Sequence, residues 1–97
     1  MRFPEALSCA LQGFKISRNG WNGPNQWVCY QPPMEVPEEM VNERTRRHVQ
    51  AGPLRVGGYF VMMTTAGVWQ PGWLASQGDM TADDWFCVDA VEIPSTG

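Results

Sequence analysis

Trp21 lies inside Arg18-Asn19-Gly20-Trp21-Asn22-Gly23-Pro24-Asn25, a run of turn formers, and Trp73 follows Pro71-Gly72. An indole among turn residues has no evident core to enter, so these two rings, with Phe3 as a third, are candidate walls for a flat ligand or an interface. Trp27 and Trp85 stand in apolar runs and read as core. Polar groups flank the same rings. Asn22, Ser76, Gln77, Asp79 and Asp84 offer donors and acceptors for hydroxyls and ring edges. Helix capping or turn closure is the competing use, as strong for Asp79 and stronger for Asp83. Arg18 is a candidate phosphate contact. Backbone N–H groups at Gly20, Gly23 and Gly78 can approach an anion, although loop glycines ordinarily serve the turn. Arg44, Arg46 and Arg47 can line an anion site at a subunit boundary, but near a helix C-terminus they complement the dipole without any ligand. His48, the sole histidine, reads as a surface residue.

Catalytic chemistry finds little footing in the same residues. Cys9, Cys29, Cys87 and His48 show no C-x-x-C or H-x-x-x-H spacing, so no metal site is expected. A cysteine–histidine pair would have to be assembled by folding alone. Asp79 and Asp84 have the residue types of an acid–base pair, but nothing in the sequence raises a carboxylate pKa. No cofactor motif is present. Seven Lys plus Arg against ten Asp plus Glu give a formal charge of −3. This balance argues against a nucleic-acid polymer, which needs a basic face for counterion release. A small phosphorylated ligand remains compatible, because one or two cations in a pocket hold it locally.

The elements that must position these residues are short. The 97 residues are expected to form a single domain, 1–97. No stretch has the ~20 apolar residues of a membrane span, and Met1-Arg2-Phe3-Pro4-Glu5 is unlike a secretory signal, so a cytoplasmic protein is expected. Three widely spaced cysteines fit a reducing compartment. Residues 3–13 predict a helix, with Pro4 and Glu5 in its first turn, Leu7, Ala10 and Leu11 at helical spacing, and Gly13 to cap it. Residues 14–17 and 26–30 read as strands around the Trp21 loop. Residues 31–36 are extended and unsuited to a sheet centre. Residues 37–50 predict a second helix with a thin apolar stripe of Met40, Val41 and Val49, lying on the surface or completed by another subunit. Residues 59–64 form the strongest strand, apolar on both faces and central. Residues 68–70 return and are broken at Pro71-Gly72; Thr81 or Asp79 caps one helical turn, and residues 85–88 re-enter the sheet. Residues 94–97 are expected to fray. The fold class is α+β: an antiparallel sheet of about four or five strands, a packed N-terminal helix and a second peripheral helix. Five tryptophans are many for so small a core, so several copies are expected to associate, with ligand sites between them.

Two blocks carry a family resemblance. Phe3-x-x-Ala6-Leu7 with Gly13, then Arg18-x-Gly20-Trp21-Asn22-Gly23, resembles the amino-terminal half of the small phage and prophage proteins called Thoeris anti-defence type II. Met63-x-Thr65-Ala66-Gly67, followed by Trp73-Leu74-Ala75-Ser76-Gln77-x-Asp79-Met80-x-Ala82-x-Asp84-Trp85, is similar to that family's carboxy-terminal signature. Pro24-Asn25 departs from the family's more usual Lys or Gly before Met, and residues 38–50 have no firm counterpart. The resemblance implies a sponge and not an enzyme: a homotetramer that binds cyclic nucleotide immune signals, notably cyclic ADP-ribose isomers, and holds them intact, some members also binding cyclic dinucleotides at a separate site. Phe3, Arg18, Trp21, Asn22, Trp73, Ser76, Asp79 and Asp84 are the expected ligand-binding residues. Two other readings stay open: an adaptor that turns exposed aromatics against a host protein, and a cyclic-nucleotide hydrolase.

Overall fold

The computed structural model describes residues 1–22 and 25–88. The expected fraying of residues 94–97 lies outside them, as does Gly23. The chain runs α1 (Phe3–Leu11), β1 (Lys15–Arg18), β2 (Trp27–Gln31), β3 (Met34–Val36), α2 (Glu43–Arg46), β4 (Leu54–Val56), β5 (Tyr59–Met63), β6 (Trp69–Pro71), α3 (Gln77–Thr81) and β7 (Trp85–Val88). Five strands form one antiparallel sheet in the order β6-β5-β2-β1-β7, and β3 pairs with β4 in a separate two-stranded sheet. The α+β class expected from the sequence is the class observed.

Helix α1 follows from local chemistry. Glu5 accepts from the backbone N–H of Arg2 at 2.8 Å, and Pro4 occupies the first turn, where its missing N–H costs nothing. Gly13, at φ 105°, ends the helix: its N–H donates to Ala10 C=O and that of Phe14 to Cys9 C=O, the two bonds of a Schellman closure. Ala6 and Ala10, four residues apart on one face, are fully buried and let the helix sit close on the sheet.

Register divides the sheet into two faces. Ile16 pairs with Val28 and with Cys87, and Arg18 with Trp85, so these side chains share the face that α1 covers. Its core is Ala6, Ala10, Ile16, Val28 and Trp85, with Phe3, Trp21, Phe60 and Trp73 packed against it. On the opposite face, Ser17 pairs with Phe86, Lys15 with Val88 and Trp27 with Met63. The residue 59–64 strand is interior as expected, between β2 and β6, and Pro71 closes the edge strand β6, where a missing N–H is tolerated. The Met1 ammonium donates to Trp85 C=O at 2.7 Å, and Trp85 N–H returns to Met1 C=O at 3.0 Å, continuing the ladder beyond β7.

The single helix predicted over residues 37–50 is corrected. Glu38–Met40 make one 3-10 turn, Val41 is extended, and α2 is one α turn from Glu43 to Arg46. Two causes combine. Asn42 accepts from Thr45 N–H at 2.9 Å and so starts a new helix inside the predicted one, and no residue of 37–50 is buried, so nothing holds a longer helix together. Arg46 donates to the C=O groups of Gln50 and Gly52, the carbonyl-capping role expected for the basic end. Residues 32–58 contain no buried residue at all, and the chain's radius of gyration, 15.9 Å, exceeds the roughly 12–13 Å of a compact chain of this length. This segment is an arm standing off the main sheet.

The core assignment predicts that Trp85→Ala lowers unfolding free energy in urea by about 3–5 kcal/mol. Met40→Ser, on the exposed arm, should change it by no more than about 0.5 kcal/mol.

Candidate functional site

Asp79 lies in α3 and is 8% exposed. Ser76 begins that helix by accepting from Asp79 N–H at 3.0 Å, while Asp79 Oδ2 accepts from Ser76 N–H at 3.1 Å, a reciprocal capping box. The cap is therefore Ser76, not Thr81 or Asp79 as the sequence alone indicated. The other carboxylate oxygen, Oδ1, accepts from Arg18 Nη1 at 2.8 Å and from Trp21 Nε1 at 3.0 Å, and Asp79 C=O accepts from Trp85 Nε1 at 2.7 Å. One residue thus fixes a helix start, an arginine and two indoles.

Asp84 completes the arrangement from the other side of Arg18. Its Oδ1 accepts from Arg18 Nε at 2.7 Å, and its Oδ2 from Gly20 N–H at 2.7 Å. A Cβ at residue 20 would lie 2.6 Å from that oxygen, so only glycine lets the loop reach the carboxylate. Burial opposes the charge on Asp79, but the donors from Trp21, Ser76 and Arg18 together outweigh it and hold the carboxyl below its ordinary range. Arg18 holds the Asp84 carboxyl down, and the two hydrogen-bonded carboxylates raise Arg18 in turn.

Above this polar layer the rings pack edge to face. Trp85 lies 5.3 Å from Trp21, 5.4 Å from Phe3 and 6.3 Å from Trp73, centroid to centroid; Trp21 and Trp73 are 6.2 Å apart. Seven of the eight residues expected to bind ligand, Phe3, Arg18, Trp21, Trp73, Ser76, Asp79 and Asp84, therefore form one connected cluster. Asn22 is exposed beside it. The premise that Trp21 and Trp73 have no core to enter is corrected: both lie against Trp85 at the core's edge. Trp85 is core as expected, 2% exposed, whereas Trp27 is half-buried on the opposite face, where it meets Trp69 at 6.2 Å.

That opposite face carries a cleft of about 660 Å³, within the size range of small-molecule sites. Trp21, Trp27 and Phe86 supply aromatic surface, and Lys15, Arg18 and Asn19 supply polar groups. Lys15 Nζ stands 4.5 Å from the Trp27 ring centroid. Arg18 and Trp21 are the expected site residues that line the cleft. Lys15, Trp27 and Phe86 were missed by sequence reasoning. The alternation of β1 and β7 could have placed Lys15 and Phe86 on one face, but only the pairing of β1 with β2 and β7 brings Trp27 to them.

Comparison with known proteins bears on what this arrangement belongs to. The family model of the Thoeris anti-defense 2-like domain matches residues 1–88. The chain belongs to the Thoeris anti-defense 2 family. It is also similar to Thoeris anti-defense 2 of Bacillus phage SP01, 30% identical over 95 residues that cover 91% of this chain and 94% of that protein. This Thoeris anti-defense 2 protein thus has its place in phage anti-defence against Thoeris, and both ends of the Arg18–Asp79–Asp84 cluster fall within the matched residues. Among the described residues no helix is long and apolar enough to cross a membrane.

The carboxylate cluster predicts a pH dependence of stability. Asp79 and Asp84 have native values below the ordinary 3.8, so the stability they contribute is fully present above about pH 5 and is lost as pH falls through the lowered native values. Thermal melts between pH 7 and pH 2 should show this loss, and Asp79→Asn should flatten it. At pH 7, Asp79→Asn should destabilise by about 1–3 kcal/mol, and the exposed Asp83→Asn by less than about 0.5 kcal/mol.

Proposed function

We propose that this protein is a sponge: it binds a cyclic nucleotide immune signal, a cyclic ADP-ribose isomer such as glyco-cyclic ADP-ribose, in the bacterial cytoplasm and withholds it from its receptor without cleaving it. The observation that carries this reading is the cleft lined by Trp21, Trp27 and Phe86 beside Lys15, in a chain of the Thoeris anti-defense 2 family. Adenine faces stack on aromatic rings, ribose hydroxyls bond to amides and hydroxyls, and phosphates take cations. The cleft offers each: rings, the Asn19 and Gln26 amides with the Ser17 hydroxyl, and Lys15.

The state of the carboxylates supports capture over hydrolysis. A general acid needs a raised pKa, and both Asp79 and Asp84 are held in the opposite direction by Arg18 and its neighbouring donors. Their oxygens are already engaged by Arg18, Trp21, Ser76 and Gly20. They act as scaffold for the loop that bears Trp21.

Assembly as a homotetramer is part of the proposal. Trp69 is 44% exposed and Leu74 86%, and the arm of residues 32–58 buries none of its side chains within its own chain. Second copies of the chain are the partners that such surfaces fit. Light scattering should then give the mass of four 10.9 kDa chains.

Incubation with glyco-cyclic ADP-ribose, followed by heat denaturation and chromatography of the supernatant, should return the intact nucleotide in stoichiometric amount. Linear product would point to a hydrolase, and co-purification with a host protein without any nucleotide-dependent thermal shift to an adaptor. Stacking contributes about 1–3 kcal/mol per base, so Trp27→Ala and Phe86→Ala should each weaken binding by roughly 5- to 150-fold while circular dichroism shows the fold retained.

A further inference from the structure

Lys15 is the only lysine in the chain, and its place is unusual for an ammonium group. It projects from the helix-free face into the cleft, and Nζ rests 4.5 Å from the centroid of the Trp27 ring. Among the described residues no carboxylate lies within ion-pair distance of it; both ion pairs found there belong to Arg18. Arg18 also lines the cleft, but it is clamped between Asp79 and Asp84, and the three groups together carry a net charge of −1. A phosphate approaching Arg18 meets two carboxylates as well as the guanidinium, whereas one approaching Lys15 meets a cation opposed by no charge of opposite sign among the described residues.

We infer that Lys15 is the cleft's phosphate-binding residue and that it works by exchange: in the free protein its ammonium rests on the Trp27 face, and on binding it moves to a phosphate of the ligand and frees the indole for the base. The inference rests on the sponge reading and deepens it. An ammonium over an exposed ring is weakly held, and a charge-assisted hydrogen bond to phosphate is stronger, so the exchange runs towards the complex. The lysine stem has the rotatable bonds to make the move from a fixed strand position, which a guanidinium held by two carboxylates has not. Phosphate contact and base stacking are thereby coupled, and a ligand that lacks either part gains less than half of the binding. A nucleoside without phosphate leaves Lys15 on the ring and finds its stacking surface covered.

A single lysine allows a direct measurement. Reductive methylation with ¹³C-formaldehyde keeps the charge and gives one Nε-dimethyl signal from Lys15, separate from that of the α-amino group. In the free protein the Trp27 ring current should shift this signal upfield, and Trp27→Ala should abolish the shift. Saturation with glyco-cyclic ADP-ribose should return the signal to the position of an exposed lysine, whereas adenosine should leave it unmoved. By calorimetry, Lys15→Gln should bind glyco-cyclic ADP-ribose at least ~10-fold more weakly than wild type, with a smaller loss of affinity between 50 mM and 300 mM salt, and Lys15→Arg should stay within ~3-fold. A wild type that binds tightly while Lys15→Gln binds equally well, or a signal still ring-shifted in the saturated complex, overturns the exchange and leaves the sponge reading standing. A wild type that does not bind the nucleotide at all overturns both.

Discussion

One carboxylate, that of Asp79, joins parts of the chain that have no other reason to meet. Its two oxygens take the first N–H of a one-turn helix, an arginine from the end of β1 and an indole from the hairpin loop, and its backbone carbonyl takes the indole of the core tryptophan. A helix of five residues has too few internal hydrogen bonds to persist alone, and a glycine-rich loop has no preferred path. Each is ordered because both terminate on the same buried anion. Desolvating that anion is unfavourable, and it stays charged only because four donors converge on it. Removing any donor thus weakens the hold on the others.

The same constraint separates structure from binding across the sheet. Residues that alternate along β1 send Ile16 and Arg18 towards α1 and α3, and Lys15 and Ser17 to the open face. The helix side is occupied: its rings pack edge to face and its carboxylates are saturated. The open side retains a cleft with half-exposed aromatic surface and a mobile cation. Trp21 belongs to both, since its N–H is spent on Asp79 while its ring contributes to the cleft wall. A wall fixed in this way loses little further freedom when a ligand settles against it, which favours tight binding.

How much of this was legible from the residues depended on the range of the interaction. Pro4, Glu5 and Gly13 act within a few positions, and α1 was readable from them. The cluster of Arg18, Trp21, Ser76, Asp79 and Asp84 was legible as a set of residue types, but not as an ion-pair network, because Arg18 and Asp84 are 66 residues apart in sequence and meet only through the pairing of β1 with β7. Asn42 hid a helix start inside a helical composition, since the same residue suits an interior badly and a cap well. The tryptophans were sorted by their neighbours in sequence, and the sorting failed where the sheet's two faces mattered: Trp27 stands in a strand yet faces the open side, while Trp21 stands in a loop that folds back onto the core.

A protein that acts by capture has no turnover to multiply its effect, so each molecule must hold its ligand for long enough to matter. Residence time is set by what must break together on release. A rigid ring offers one contact that can be lost by itself. A ring uncovered by the same movement that brings a cation to a phosphate offers two contacts that are lost only in sequence, because the lysine cannot return to the indole until the base has left it. The fixed Asp79 cluster on one face and the single unanchored lysine on the other are then complementary devices: the first keeps the wall in place while the second makes leaving it cooperative.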